Sequence, residues 1–351
     1  MAGNSTPRKT QLAKKLSLGA GSTILFFALA ELVLRLAGFE GDAATYYLQF
    51  HVPEIRSAGY ERDPARFWKL KPGFHGQVSD NYPWQVSVNA HGMRGPDVPI
   101  EKPTNTFRIL SIGDSSAFGW GVPPEQTYAG ALERILNENA GSVRCQVLNA
   151  GVPGYSSYQG LQYLRRELLA YKPDLVLVYF GLNDLTGARY YADKDQRFLA
   201  GPKTRSPFAL LYRLRIYRLL AQCVSRFSRK KRFDAYFADT DHFRVAPKDY
   251  IANLNAMKKL GTEHGFKVYF ITPVWHDTEK GVLYNRPYWL PAGKNIWTGI
   301  TPTIDTYGHL KKMENQAAKL YQDVAHPTAW GHEIIAKTIY RTLKREGVLP
   351  E

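Results

Sequence analysis

Four short polar clusters interrupt apolar runs where packing alone would not place them. Gly113-Asp114-Ser115-Ser116 follows the run Phe107–Ile112, and Asn149-Ala150-Gly151-Val152-Pro153-Gly154 follows Val143–Leu148. Gly181-Leu182-Asn183-Asp184 follows Leu175–Phe180, and Asp323-Val324-Ala325-His326-Pro327 precedes a helical stretch near the C-terminus. A serine hydroxyl is a poor nucleophile until a neighbouring base takes its proton. Ser115 falls on a turn between strand and helix, His326 is the candidate base, and Asp323 can share one turn with it. An acid so placed accepts a hydrogen bond from the imidazole, fixes its tautomer and favours the imidazolium formed during attack. Each cluster also has an ordinary structural reading. Gly-Asp-Ser and Gly-x-Asn-Asp suit turns, and Asp-x-x-His is common where an Asp caps a helix. All four in one chain, three of them closing apolar strands, favour chemistry over coincidence.

The elements that must position these residues alternate. Phe107–Ile112 reads as a strand, Thr127–Asn139 as a helix, Val143–Leu148 as a strand, Leu161–Tyr171 as a helix and Leu175–Phe180 as a strand. Lys248–His264 reads as a helix, Lys267–Thr272 as a strand and Trp330–Lys344 as a closing helix. The third strand is a continuous apolar run, as expected of a strand buried on both faces. Strands alternating with helices over short links imply an α/β fold with a parallel sheet covered on both faces. Sites in such sheets form at the carboxyl ends of the strands, where three of the clusters lie. Residues 40–105 are rich in Gly, Pro and aromatics and read as a small β-rich extension, with Trp84–Val88 its clearest strand.

In order and spacing the four clusters resemble those of the SGNH (GDSL-type) hydrolases, over roughly Thr106–Arg189 and Lys248–Lys344. The resemblance implies a three-layer flavodoxin-like fold, an SGNH hydrolase domain over 106–347 with an insertion at 190–245, and serine esterase activity without a cofactor. It implies a triad of Ser115, His326 and Asp323, and an oxyanion hole formed by the N–H groups of Ser115 and Gly151 and the side-chain amide of Asn183. One departure is Ser116, where the family's name motif has Leu. Asp114 and Asp184 read as residues that hold turns. Asp305 lies too far from His326 to be its acid. His332 reads as decorating the last helix, and His276 as a possible substrate contact beyond the fourth strand. Tyr284, Tyr288, Trp289 and Trp297 form an aromatic loop suited to sugar rings or acyl chains.

Residues 1–15 carry Arg8, Lys9, Lys14 and Lys15 with no acid, and Leu16–Ala37 supplies 22 residues interrupted only by Glu31 and Arg35. That length spans a bilayer, and the basic flank places residues after 40 outside the cytoplasm, periplasmic or extracellular. The single-pass reading competes with a cleaved signal peptide, suggested by Ala28-Leu29-Ala30, and with a buried core helix. Of 351 residues, 44% are hydrophobic and 22% charged, which excludes a disordered chain and a polytopic membrane protein. Two cysteines exclude a disulfide scaffold and a thiolate zinc site. The net charge of +15 favours anionic partners, though no nucleic-acid motif accompanies it. Much of the excess lies between Lys203 and Arg232, which hold ten Lys or Arg and no acid. The stretch 207–229 has the pattern of a basic amphipathic helix, fit either for an anionic membrane surface or for packing on the domain. Three functions follow in order of support. The first is a membrane-anchored esterase acting on an acyl ester of a small molecule, lipid or polysaccharide. The second is an O-acyltransferase using the same acyl-enzyme, and the third a non-catalytic envelope-binding module.

Overall fold

The computed structural model describes residues 6–39, 59–79, 82–139, 141–187, 192–195, 211, 214–227, 243–285 and 299–350. The expectations for Tyr288, Trp289 and Trp297, and for most of 190–245, lie outside these residues. The chain opens with helix α1 (Thr6–Leu36) and continues through two antiparallel hairpins. These are β1 (Tyr60–Asp63) with β2 (Phe67–Leu70), and β3 (His75–Ser79) with β4 (Tyr82–Ser87). The hydrolase-like part then runs β5 (Thr106–Gly113), α2 (Ser115–Phe118), α3 (Tyr128–Glu138), β6 (Arg144–Gly151), α4 (Ser157–Arg166) and β7 (Leu175–Tyr179). After these come α5 (Arg215–Phe227), α6 (Pro247–His264), β8 (Lys267–Ile271) and the hairpin β9 (Trp275–Asp277) with β10 (Val282–Tyr284). The chain ends with β11 (Thr303–Ile304), α7 (Thr306–Lys311), α8 (Ala317–Leu320) and α9 (Ala329–Arg345).

Five strands form one sheet in the order β11-β8-β7-β5-β6, all parallel. Counted along the chain this is the flavodoxin-like order 2-1-3-4-5, whose switch point falls between the first and third strands. Those strands are β5 and β7, which end beside Ser115 and Asn183. Side chains alternate across the sheet. Ile109, Val147, Leu175 and Leu177 pack with α3 and α9 on one face, while Leu110, Ile112, Val176 and Val178 pack with α4 and α6 on the other. Helix, sheet and helix make the three layers.

Two elements differ in extent from their sequence patterns. Helix α4 starts at Ser157, ahead of its first apolar position, because Ser156 and Gln159 form a reciprocal capping box. Its expected end is instead a 3₁₀ turn at Leu168–Tyr171. The two-residue strand β11 has no pattern of its own and is defined by pairing with Phe270 and Ile271.

The β-rich extension docks on the sheet through buried polar contacts. Trp68 is fully buried, and its Nε1–H donates to the Pro153 carbonyl at 3.2 Å. Tyr155 Oη returns a 2.6 Å bond to the Trp68 carbonyl. Arg108, also fully buried, donates to the carbonyls of Ile100 and Tyr171 and to Gln146, tying the connection before β5 to the base of the sheet.

Helix α4 can approach β7 closely because residue 160 has no side chain. A Cβ there would stand 2.2 Å from Phe180 Cζ. Gly160→Ala should cost about 1–3 kcal/mol through overpacking and lower the Tm of the detergent-solubilised protein by several degrees. An unchanged Tm would show that α4 and Phe180 have room to separate.

Candidate active site

Strand β5 delivers Ser115 to the sheet's carboxyl edge, and Asp114 turns the chain into α2. The Asp114 carboxylate accepts from Ser116 N–H at 2.8 Å, capping the helix start. Ser115 is the first helical residue, so its own N–H has no intrahelical acceptor. Helix α2 ends after one turn at Gly119, whose φ of 79° lies in the left-handed region that favours glycine.

His326 reaches the same edge from the far end of the chain. Its Nε2 lies 2.8 Å from Ser115 Oγ, and its Nδ1 lies 2.7 Å from Asp323 Oδ2. The other Asp323 oxygen accepts from the N–H groups of Ala325 and His326, both at 2.9 Å. Burial opposes ionisation of Asp323, but the hydrogen bond and charge of His326 and the two N–H donors overcome it. The carboxyl is held below its ordinary range. An ionised Asp323 keeps the imidazole proton on Nδ1, which leaves the Nε2 lone pair to accept from the Ser115 hydroxyl. The structure therefore brings Ser115, His326 and Asp323 into one hydrogen-bonded chain.

The other two predicted site residues lie at neighbouring strand ends but are already engaged. The Gly151 N–H donates to Asn149 Oδ1 at 3.0 Å. The Asn183 amide donates to the Tyr155 carbonyl at 3.2 Å and meets Asp114 Oδ2 at 3.4 Å. Gly154, one residue before that carbonyl, occupies the left-handed region at φ 78°. Asp305 caps α7 by accepting from Gly308 N–H, far from the role of a triad acid. His332 is buried rather than decorative. Its Nδ1 accepts from Tyr128 N–H at 3.2 Å, and burial pulls its pKa down to about 3. His276 is buried as well, and its backbone N–H holds the Val324 carbonyl at 2.8 Å. Its ring is not open to the crevice as the sequence suggested. Tyr284 packs its ring on Trp275.

Further residues set this geometry, and Arg94 and Gln322 among them carry no local sequence signal. Arg94, from the extension, donates to the carbonyls of Phe118, Gly119 and Val122 and stacks on the Phe118 ring. Burial lowers its pKa to about 10, so the clamp remains cationic at neutral pH. Asn149 Nδ2 donates to the Ala117 carbonyl at 3.0 Å. The Ser116 hydroxyl donates to the Ala325 carbonyl at 3.2 Å, which ties the nucleophile turn to the histidine loop and gives this departure from the motif a structural use. Gln322 donates to the carbonyls of Trp120 and Pro327. Trp120 lies 5.9 Å from the His326 ring, and Trp84 meets it edge-on at 4.5 Å.

Residues 111–288, half of the chain, match the family model described as the GDSL-like Lipase/Acylhydrolase family. The chain belongs to the GDSL-like lipase/acylhydrolase family. The match includes Ser115, Gly151 and Asn183, while Asp323 and His326 lie beyond it. A curated arylesterase of Vibrio mimicus is 34% identical over 77 residues, which are 22% of this chain and 38% of that protein. The aligned part is thus well under half of that relative. Solved structures align at TM-scores below one half. One is LAE5, an alpha/beta hydrolase enzyme from the metagenome of Lake Arreo (TM-score 0.43, 17% identity, 70% of this chain and 97% of that one). Another is Axe2, an acetylxylan esterase from Geobacillus stearothermophilus (0.42, 19%, 67% and 93%).

Near this GDSL-like site, Asp184 is fully buried, with one oxygen on Ser157 N–H at 2.9 Å. Burial pushes its pKa up from the ordinary 3.8 to about 7, against the pull of the Ser157 bonds and the Arg244 charge. The folded state therefore holds this proton more tightly than the unfolded chain does. Asp184 adds nothing to the pH dependence below about pH 4, and it removes stability as pH rises towards about 7. In Tm measurements across that window, Asp184→Asn should decline less with rising pH than wild type. Parallel curves would contradict the buried, proton-binding state.

Proposed function

We propose that this family member is a serine esterase, anchored by α1 with its catalytic domain outside the cytoplasm, that hydrolyses an acyl ester. The hydrogen-bonded chain Ser115–His326–Asp323 carries the reading. His326 Nε2 takes the hydroxyl proton as Ser115 Oγ bonds to the ester carbonyl carbon, whose π electrons move to oxygen. Asp323 stabilises the imidazolium. Collapse of the tetrahedral adduct breaks the bond to the leaving alkoxide, which receives the proton from His326. Water then repeats the sequence on the acyl-enzyme, releasing the acid and restoring Ser115.

The oxyanion is assigned to the N–H of Ser115, with the Gly151 N–H and the Asn183 amide beside it. Because Gly151 and Asn183 hold intramolecular partners, they must share or exchange those bonds when charge develops. Trp84 and Trp120 supply an aromatic wall next to His326, suited to an acyl chain or the ring of a leaving alcohol. Anchoring is supported by Leu12–Leu36, a 25-residue helical stretch long and apolar enough to cross a bilayer, whose apolar window is unburied in the protein, and by the basic flank, which by the positive-inside rule stays cytoplasmic.

The test is hydrolysis of p-nitrophenyl acetate, butyrate and octanoate by the full-length protein in detergent. Ser115→Ala should fall to background. Asp323→Asn should lose on the order of 10⁴-fold in kcat, and Asn183→Ala about 10²–10³-fold. A Ser115→Ala protein that retains wild-type turnover would overturn the mechanism.

A further inference from the structure

Glu31 and Arg35 are charged residues inside an otherwise apolar segment, where charge is costly unless it is paired. The structure gives both a partner and a purpose. Arg35 donates to Glu31 Oε1 at 2.8 Å. The other Glu31 oxygen accepts from the backbone N–H of Ile216, in the first turn of α5, at 3.0 Å. In return Arg215 Nη1 donates to the carbonyls of Leu34 and Arg35 at 3.2 and 3.0 Å. Each helix therefore caps the other. Glu31 satisfies an orphan donor at the N-terminus of α5. Arg215 adds a second donor to the Leu34 and Arg35 carbonyls at the C-terminus of α1, which also accept from the N–H groups of Phe39 and Gly38. The signs also suit the two helix dipoles, with the acid at the positive end of α5 and the cations at the negative end of α1.

This joint fixes the start of α5 at the level where α1 ends. Helix α5 is amphipathic. On a helical projection of its sequence, Leu214, Tyr217, Leu220, Val224 and Phe227 fall on one side, and Arg215, Arg218, Gln222 and Arg226 on the other. Leu220 on the helix is 52% exposed, and Leu214 directly before it 39%, a large apolar exposure beside a membrane span. The stretch from Lys203 to Arg232, α5 included, holds ten basic residues and no acid.

We infer that α5 lies in the membrane–water interface beside the exit of α1, with its apolar side at the acyl boundary and its basic side on anionic phospholipid headgroups. The inference rests on α1 spanning the bilayer. The Glu31–Arg215 joint is then the hinge that holds a surface helix against the anchor, and the charges within the span are its fittings. Basic amphipathic helices bind such surfaces through buried apolar area together with attraction to anionic lipid.

Cys223, exposed on α5, offers a labelling site, while Cys145 is buried. The full-length protein carries an environment-sensitive fluorophore on Cys223. It is reconstituted into vesicles of phosphatidylcholine with phosphatidylglycerol, or of phosphatidylcholine alone, and quenched with aqueous iodide or with brominated lipid. With phosphatidylglycerol present, brominated lipid should quench strongly and iodide weakly. Glu31→Gln and Leu220→Asp should each reverse that preference several-fold while the protein still floats with the vesicles after an alkaline wash. Flotation with Cys223 open to iodide in every vesicle overturns the inference and leaves the anchor standing. Loss of the protein from the vesicles in that wash overturns the anchoring itself.

Discussion

The hydrogen bond between Ser115 Oγ and His326 Nε2 spans 2.8 Å and joins residues 211 positions apart. A nucleophile and base so separated in sequence meet only if both flanking segments are held rigidly, since an error of one ångström at such a contact is expensive. The serine side is held by Asp114 at the helix start, by Arg94 on the carbonyls after it, and by Asn149 on the carbonyl of Ala117. The histidine side is held by Asp323, by Gln322 bridging Trp120 and Pro327, and by His276 N–H on Val324. The bonds from Ser116 to Ala325 and from Gln322 to Trp120 cross between the two sides directly.

The β-rich extension therefore belongs to the working unit although it precedes the segment that matches the family. Arg94 places a buried guanidinium against the nucleophile loop, and its backbone N–H donates to the Asn149 carbonyl at 3.0 Å. Trp68 holds the turn at Pro153–Tyr155, whose carbonyl orients Asn183. The far ends of the insertion act on the same turn from the other side. Arg244 donates to Gly154 and Gln159 and pairs with Asp193, itself bound by the Ser156 hydroxyl. A buried ion pair of this kind contributes little net stability, but loss of either partner leaves an unpaired charge.

Much of this architecture is legible in the amino-acid order. The strand ending at Tyr179 is apolar without interruption because both of its faces are covered. Those ending at Gly113 and Gly151 are mainly apolar around Arg108, Ser111 and Gln146, and polar residues cluster where the sheet stops. The Ser115 cluster is legible for the same reason, and the His326 cluster by its Asp-x-x-His spacing before the closing helix. Buried arginines are not. Arg94, Arg108 and Arg244 sit in sequence among ordinary loop or strand residues, and only the folded chain shows which carbonyls they serve. The buried state of His332 was hidden likewise, because its partner is a backbone N–H from another helix. The Gly151 N–H could not be known to be occupied by Asn149, since an Asx turn depends on side-chain conformation as well as spacing.

The claim on which the rest stands is that Ser115 is activated by His326. It is tested most directly by exposing the full-length protein in detergent to a fluorophosphonate and mapping the adduct by peptide mass spectrometry. One phosphonyl group on Ser115 is expected, formed far more slowly in His326→Ala and absent from the other serines of the chain, Ser116 included. Labelling of a different residue, or equal labelling of Ser115 with and without His326, would contradict it.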